Sequence, residues 1–411
     1  MNRKKDINFI CAAVFTFGIF MLGTFHNQSS AFATKKPKKI NIAVIGDFSG
    51  PYAPVVGQTK PGTLDAWHYI NKELGGVYGV KVNPIIKDMS GKISVGLSHY
   101  NEVINIKPKP TFIDIFITPL SEALRTRYVE DDVVGFHAGA VVSLYPQANS
   151  YGLYCMYPEQ LAVAIKWFKD NWKKKGNPRM GIITWDTSYG RAILTDEFFA
   201  YAKKIGVNIV DTQLFGIRDV EVTTQLLKLR SNKVDCLITN NGGSGTMAIK
   251  KGLREMGWKV PLLNGAGGDW GTVRLNPTLF DDYYVVIHTK GFDQTKDPSI
   301  KTIMKYFHKN KRTTNDKSIF YIIAWHNALL EHKVLKETVK KYGWKGLNTK
   351  NIKKVINKIK NFSPLKGLTN ITYTDKRRTP QVARIYKAKN GKLIPVTGFL
   401  KVPDMRPAKY R

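Results

Sequence analysis

Short β-branched runs alternate with stretches of helical periodicity along this chain, and the alternation runs through twice. The first round reads as strands at 40–45, 81–87, 111–117 and 132–136, with helices at 63–74, 91–106 and 121–130 between them. The second opens with a helix at 162–172 and continues with strands at 180–185, 207–213, 234–239, 260–263 and 284–289. Helices at 191–205, 222–230 and 245–256 separate them. Such alternation argues for parallel sheets covered by helices. Two successive rounds argue for an α/β protein of two doubly wound lobes. Ligands bind beyond the carboxyl ends of strands in such sheets, and two lobes place those ends on either side of one cleft.

The remainder is organised differently. Residues 319–342 form a long helical pattern with Tyr321, Trp325, Leu329 and Leu330 at core spacing, and 348–359 a second. Two strand-like runs flank Lys389-Asn390-Gly391-Lys392, and Asn-Gly is a strong hairpin signal. Residues 402–411 read as an unpacked basic tail.

At the N-terminus, Arg3, Lys4 and Lys5 precede an apolar stretch from Ile7 to Phe25, and Ala31-Phe32-Ala33 offers a small-x-small cleavage site. This reads as a signal peptide over 1–33, with a retained anchor as the other reading. A cleaved chain is periplasmic or otherwise extracytoplasmic. Beyond residue 33 only Cys155 and Cys236 remain, too few for a disulfide framework. They are either two buried thiols or a single bridge.

Lys and Arg number 64 against 31 Asp and Glu, a net charge of +33 spread along the whole length. Such a field favours an anionic envelope surface, acidic partners or anionic ligands, the other reading being a solvated surface of the kind basic exported proteins carry. It does not argue for nucleic acid, because no aromatic-basic platform motif accompanies it. The eight histidines are scattered without metal-ligand spacing, and no Gly-x-Ser-x-Gly elbow occurs. A catalytic reading therefore finds little support, and no cofactor or metal is expected.

The segment "GDFSGPYAPVVGQ", residues 46–58, is about twice the usual length for a strand-to-helix connection. Its Asp47, Ser49, Gly50-Pro51 turn and Tyr52 suit a loop that grips a ligand.

The order of pieces resembles a known family. "KINIAVIGDFSGPYA" and "INKELGGVYGVKVNPIIKD" are similar to the opening of the periplasmic solute-binding proteins of branched-chain amino-acid and amide ABC transporters. "MGIITWDTSYGRAILTDEFFAYAKKIGVNIV" resembles the start of that family's second lobe. "VTTQLLKLRSNKVDCLITNNGG", "GLREMGWKVPLLNGAGG" and the closing "KGLTNITYTDKRRTPQVARIYKAKNGKLIPV" resemble the units that follow. The resemblance covers about 39–401. It implies a type I periplasmic binding fold, two lobes joined by three crossovers. Lobe one takes 39–157 and 288–365, and lobe two takes 158–287 and a closing hairpin at 366–401, before the tail at 402–411. It also implies a monomer that captures a small-molecule solute, an amino acid, amide or organic acid, and delivers it to an ABC permease. The fold also serves sensors, and a scaffold that lost its ligand is a further alternative.

The resemblance carries ligand contacts onto Tyr52, Thr118, Ser121, Gly139, Ala140, Tyr189, Asn241 and Asp269. Two positions depart from the amino-acid binders. Val141 stands where a threonine is expected and donates no hydrogen bond. Ala266 stands where the acid for a ligand ammonium is expected, leaving Asp269 as its substitute. Asp186 reads as the cap of the helix near Tyr189, and His137 as a structural or ligand-facing histidine.

Overall fold

A computed structural model describes residues 36–137, 145, 149–265, 267 and 270–411. The expected leader lies outside the described residues, as do Gly139, Ala140, Val141, Ala266 and Asp269. Five parallel strands form the first sheet: β1 (Ile40–Gly46), β2 (Val82–Asp88), β3 (Ile113–Ile115), β4 (Gly135–His137) and β5 (Ser150–Gly152), in the order β2-β1-β3-β4-β5. The second sheet holds β6 (Arg179–Trp185), β7 (Asn208–Phe215), β8 (Cys236–Thr239), β9 (Leu262–Asn264), β10 (Tyr283–Ile287), β11 (Val382–Lys389) and β12 (Lys392–Pro395). Its order is β12-β11-β10-β9-β8-β6-β7, and the short β13 (Leu400–Lys401) pairs with β11. Parallel sheets buried on both faces read as continuous apolar runs. The residues of β1 accordingly are all buried.

Both sheets reverse their strand order beside the first strand of their round, between β1 and β3 and between β6 and β8. A crevice opens at the carboxyl ends of strands at such switch points. Here the two crevices face each other.

The chain passes between lobes three times, from β5 to the helix Tyr157–Asp170, from β10 to the helix Pro298–Lys309, and from the helix Thr349–Ile356 to β11. The passages lie side by side. The Gly152 amide donates to the Arg378 carbonyl at 2.8 Å, the Lys290 amide to the Leu368 carbonyl at 2.8 Å, and the Tyr373 hydroxyl to the Gly152 carbonyl at 2.8 Å.

Several local expectations need correction. The helix expected at 121–130 is two, Thr118–Ala123 and Arg127–Glu130. That at 191–205 divides into Ser188–Arg191 and Asp196–Lys204, because Thr195 caps the second by accepting from the Phe198 amide at 3.2 Å. The helix Pro298–Lys309 was not anticipated, although Asp297-Pro298 is a plain start signal: Asp297 accepts from the Ser299 amide at 2.9 Å. The hairpin turns at Asn390-Gly391, whose φ values of 52° and 73° are those of a type I′ turn. Residues 402–411 are not an unpacked tail. Val402, Met405 and Arg406 are buried, and Asp404 pairs with Arg377 and Arg406 at 3.0 and 2.6 Å. The sequence shows only the excess of basic residues there; Asp404 and the two apolar anchors dock the segment on lobe two.

The helix Ile319–Tyr342 is the core of lobe one and carries a buried acidic pair. Asn327 donates to Asp114 of β3 at 2.7 Å, and the fully buried Glu331 lies against the same carboxyl. Burial lifts both carboxyls, and the neighbouring Asp114 drives Glu331 up further. An acid whose pKa rises on folding holds more protons in the folded state, so stability falls as pH climbs through its unfolded value toward its folded one. Glu331→Gln supplies the donor without the titration. In thermal melts it is expected to be more stable than the native chain at pH 8 and to match it at pH 4. A lower melting temperature at pH 8 refutes a Glu331 carboxyl raised by burial beside Asp114.

Candidate functional site

Asp47, at the end of β1, is fully buried and folds the loop that follows. Its carboxylate accepts from the amides of Gly50 at 2.6 Å and Tyr52 at 2.9 Å. Asp88, at the end of the neighbouring β2, accepts from the Phe48 and Ser90 amides at 2.9 Å. Gly50 is required by close approach, since a Cβ there would lie 2.5 Å from the Gly91 nitrogen. The two aspartates thus fix the backbone so that Tyr52 heads the short helix Ala53–Val56 and reaches across to lobe two. Its ring meets Trp185 edge-on at 6.2 Å, and its phenol faces the Thr187 hydroxyl. Burial raises the Tyr52 pKa, so the phenol stays neutral.

The same short helix closes one side of the cleft. A Cβ on Gly242 would sit 2.7 Å from Val55, and one on Gly243 3.3 Å from Pro54. The Gly-Gly turn of lobe two is therefore the seat for lobe one.

Inside this contact lies a cavity. Lobe one lines it with Tyr52, Val55, Val56, Phe116, Ile117 and Thr118, the first crossover with Tyr154 and Tyr157, lobe two with Tyr189, and the long helix with Phe320. The centre of a water-sized sphere has about 20 Å³ there, room for one or two waters. A hydroxyl chain crosses it: Thr118 Oγ1 to the Tyr157 phenol at 3.3 Å, and Tyr157 to the Tyr154 phenol at 3.1 Å. Burial pushes the Tyr157 phenol up to about 12, so this chain is neutral. Among the described lining residues none is a carboxylate, lysine or arginine.

Of the described residues singled out from sequence, Tyr52, Thr118 and Tyr189 meet around this cavity. Tyr189 packs 5.1 Å from Tyr157, and its phenol donates to the Asn241 carbonyl at 3.3 Å. Ser121 and Asn241 do not join them. The Ser121 hydroxyl bonds back to the Ile117 carbonyl at 3.0 Å, one turn earlier in its helix. The Asn241 side chain accepts from the Trp185 amide at 2.8 Å and the Thr184 hydroxyl at 3.2 Å, tying β8 to β6. Asp186 is not the cap of the helix at Tyr189; Thr187 accepts from the Gly190 amide at 3.1 Å, while Asp186 pairs with Arg191. His137 is fully buried, edge-on to Tyr128 at 4.8 Å, and burial lowers its pKa to about 3. Cys155 and Cys236 are free and buried. Sequence reasoning missed Phe116, Tyr154, Tyr157, Trp185 and Phe320, whose apolar character reads as core.

Residues 39–392 match the periplasmic binding protein family. The chain belongs to that family. Its fold is that of a branched-chain amino acid ABC transporter protein from Thermus thermophilus crystallised with valine, at a TM-score of 0.80 and 18% identity over 92% of this chain and 99% of the other. A fatty acid ABC transporter substrate-binding protein from Thermomonospora curvata superposes at 0.77, with 17% identity over 90% and 94%. In sequence the chain is 23% identical over 251 residues to a Leu/Ile/Val-binding protein homolog 7 of Brucella suis, covering 58% of this chain and 60% of that one. The match thus spans about 60% of the length of these curated relatives.

In this periplasmic binding fold two of the cavity residues, Tyr154 and Tyr157, stand on the first crossover. Tyr157 opens the helix Tyr157–Asp170, whose fully buried Glu159 accepts from the Met156 amide at 2.9 Å and pairs with Arg377 at 2.5 Å. The Met405 amide also donates to Glu159, at 3.3 Å. One anion thereby ties the first crossover, the third crossover and the C-terminal segment. Removing one partner of a buried pair strands the other charge at a cost of about 3 to 5 kcal/mol. Arg377→Met is expected to lose that much in denaturant titrations, with much of the loss restored in Arg377→Met/Glu159→Gln. Equal losses in the single and double variants refute the pairing.

Proposed function

We propose that this protein is an extracytoplasmic solute-binding protein. It captures a small amphipathic molecule between its lobes and presents the closed form to an ABC permease. The observation that carries the reading is the cavity, apolar and aromatic on every described wall except for the chain of neutral hydroxyls from Thr118 to Tyr154. Such walls suit a solute with an aliphatic or aromatic body and one polar end, an apolar amino acid or an organic acid rather than urea. The names of the relatives, for branched-chain amino acids and fatty acids, support the same class. Capture needs no chemistry, so no residue is assigned a catalytic role. The cavity's small volume means that a solute enters only when the lobes part, a hinge motion known for such clefts. Gly139, Ala140 and Asp269 belong to this site in the proposal, since their stretches follow the cleft-side ends of β4 and β9.

The small volume also favours a second reading, a scaffold that keeps the fold and fills the cleft with its own aromatic side chains. Thermal unfolding of the chain from Thr34 against a solute panel separates the two. The panel holds branched-chain amino acids, fatty acids, aromatic acids and small amides. A bound solute at about a thousand times its dissociation constant adds about 4 kcal/mol. The expectation is a shift with the apolar acids or apolar amino acids and none with urea; no shift anywhere supports the scaffold. Tyr52→Ala and Tyr189→Ala are each expected to weaken the binding solute by about tenfold or more, ~1.4 kcal/mol. Unchanged affinity in both removes the clamp. Asp269→Asn distinguishes the ligands further, costing affinity only if the solute carries an ammonium.

A further inference from the structure

The end of lobe one farthest from the cleft carries a concentration of charge that solute capture does not use. Between 333 and 360 there are ten lysines and a single acid, Glu337. The helices Ile319–Tyr342 and Thr349–Ile356 pack against each other, and a groove of about 570 Å³ runs beside them. Lys333, Lys341, Lys354, Lys358 and Lys360 line it, all exposed, together with Tyr342 and Phe362. Glu337 pairs with Lys333 at 3.1 Å. Phe320 borders the cleft at the start of the same helix, and Lys341 comes 21 residues later, about 30 Å along the axis at 1.5 Å per residue.

The chain also enters the fold at this end. Lys36 donates to the Tyr78 carbonyl at 3.1 Å, and Lys336 lies 5.5 Å over the Tyr78 ring. The exposed Lys36, Lys38 and Lys39 add further positive charge at this point of entry. No helix among the described residues is long and apolar enough to cross a membrane.

From this charge density, we propose that the groove is a docking surface for an anionic phospholipid membrane. Clusters of four to eight lysines near a membrane surface bind anionic headgroups, and the attraction fades within a Debye length. The aliphatic stems of the lysines, with Tyr342 and Phe362, suit the border between headgroup and acyl chain. Docking here leaves the cleft uncovered, so a protein held at the membrane keeps its site open to solute.

The test uses the chain from Thr34, which contains both sheets complete, in co-sedimentation with two vesicle types. One is phosphatidylcholine alone and the other contains about one third phosphatidylglycerol. Binding is expected to the anionic vesicles only, and to fall steeply with added salt. Replacing Lys341, Lys354, Lys358 and Lys360 together by glutamine is expected to lower that binding at least tenfold. The same replacement at the exposed Lys173, Lys175, Lys203 and Lys204 of lobe two is expected to change it less than twofold. Equal losses in the two variants mean diffuse charge and overturn the proposal. So does equal binding to neutral vesicles. Retention of soluble polyphosphate by the groove, without binding to anionic vesicles, overturns it as well. Solute affinity in the groove variant stays native, so failure here is separate from failure of the cleft.

Discussion

The cleft depends first on the three crossing segments being held as one bundle. Two lobes joined by a single flexible strand would sample many relative orientations, and a site shared between them would rarely assemble. Here the crossovers bond to one another through backbone groups, and the buried Glu159 fastens the first and third to the C-terminal segment through Arg377 and Met405. A buried ion pair contributes little net stability compared with an apolar substitute, because desolvation offsets most of the attraction. Its effect is geometric. It fixes where the helix Tyr157–Asp170 begins, and so where Tyr157 meets Thr118 and Tyr189.

In the proposed capture the lobes open and close about this bundle. The surfaces that meet on closure are small and shaped by glycine on one side and a short helix on the other. Tyr52 against Trp185 is the principal aromatic contact across the mouth. Apolar contacts of this size are matched readily by those a solute makes. A ligand with greater affinity for the closed form then shifts the population by its differential affinity alone.

The architecture was legible because alternating strand and helix signals are strong and repeat twice, and because Asn390-Gly391 specifies its own turn. The site was legible only in part. Tyr52 stood out because it follows a strand and sits in a long polar loop, and Tyr189 because the resemblance carries a cleft contact onto it. Tyr157 and Phe320 lie in apolar sequence, and nothing local separates a ring that faces a cleft from one that faces a core. Ser121 misled because a hydroxyl in the first turns of a helix has a ready acceptor one turn back. Asp186 and Thr187 are adjacent and both able to cap; which one does is decided by Arg191, which draws Asp186 to the surface. The packed C-terminal segment was invisible because its partner, Glu159, lies almost 250 residues earlier.

The most direct test of the account is the distance across the cleft. Lys92 follows β2 and Val220 follows β7, both exposed at the cleft-side ends of their strands. Lys92→Cys and Val220→Cys can carry spin labels, while Cys155 and Cys236 are buried away from the reagent. Pulsed electron resonance on the chain from Thr34 is expected to give a broad distance distribution without solute. Saturating solute is expected to collapse it to one shorter, narrower peak. An unchanged distribution with a solute that demonstrably binds would contradict capture by closure between the lobes.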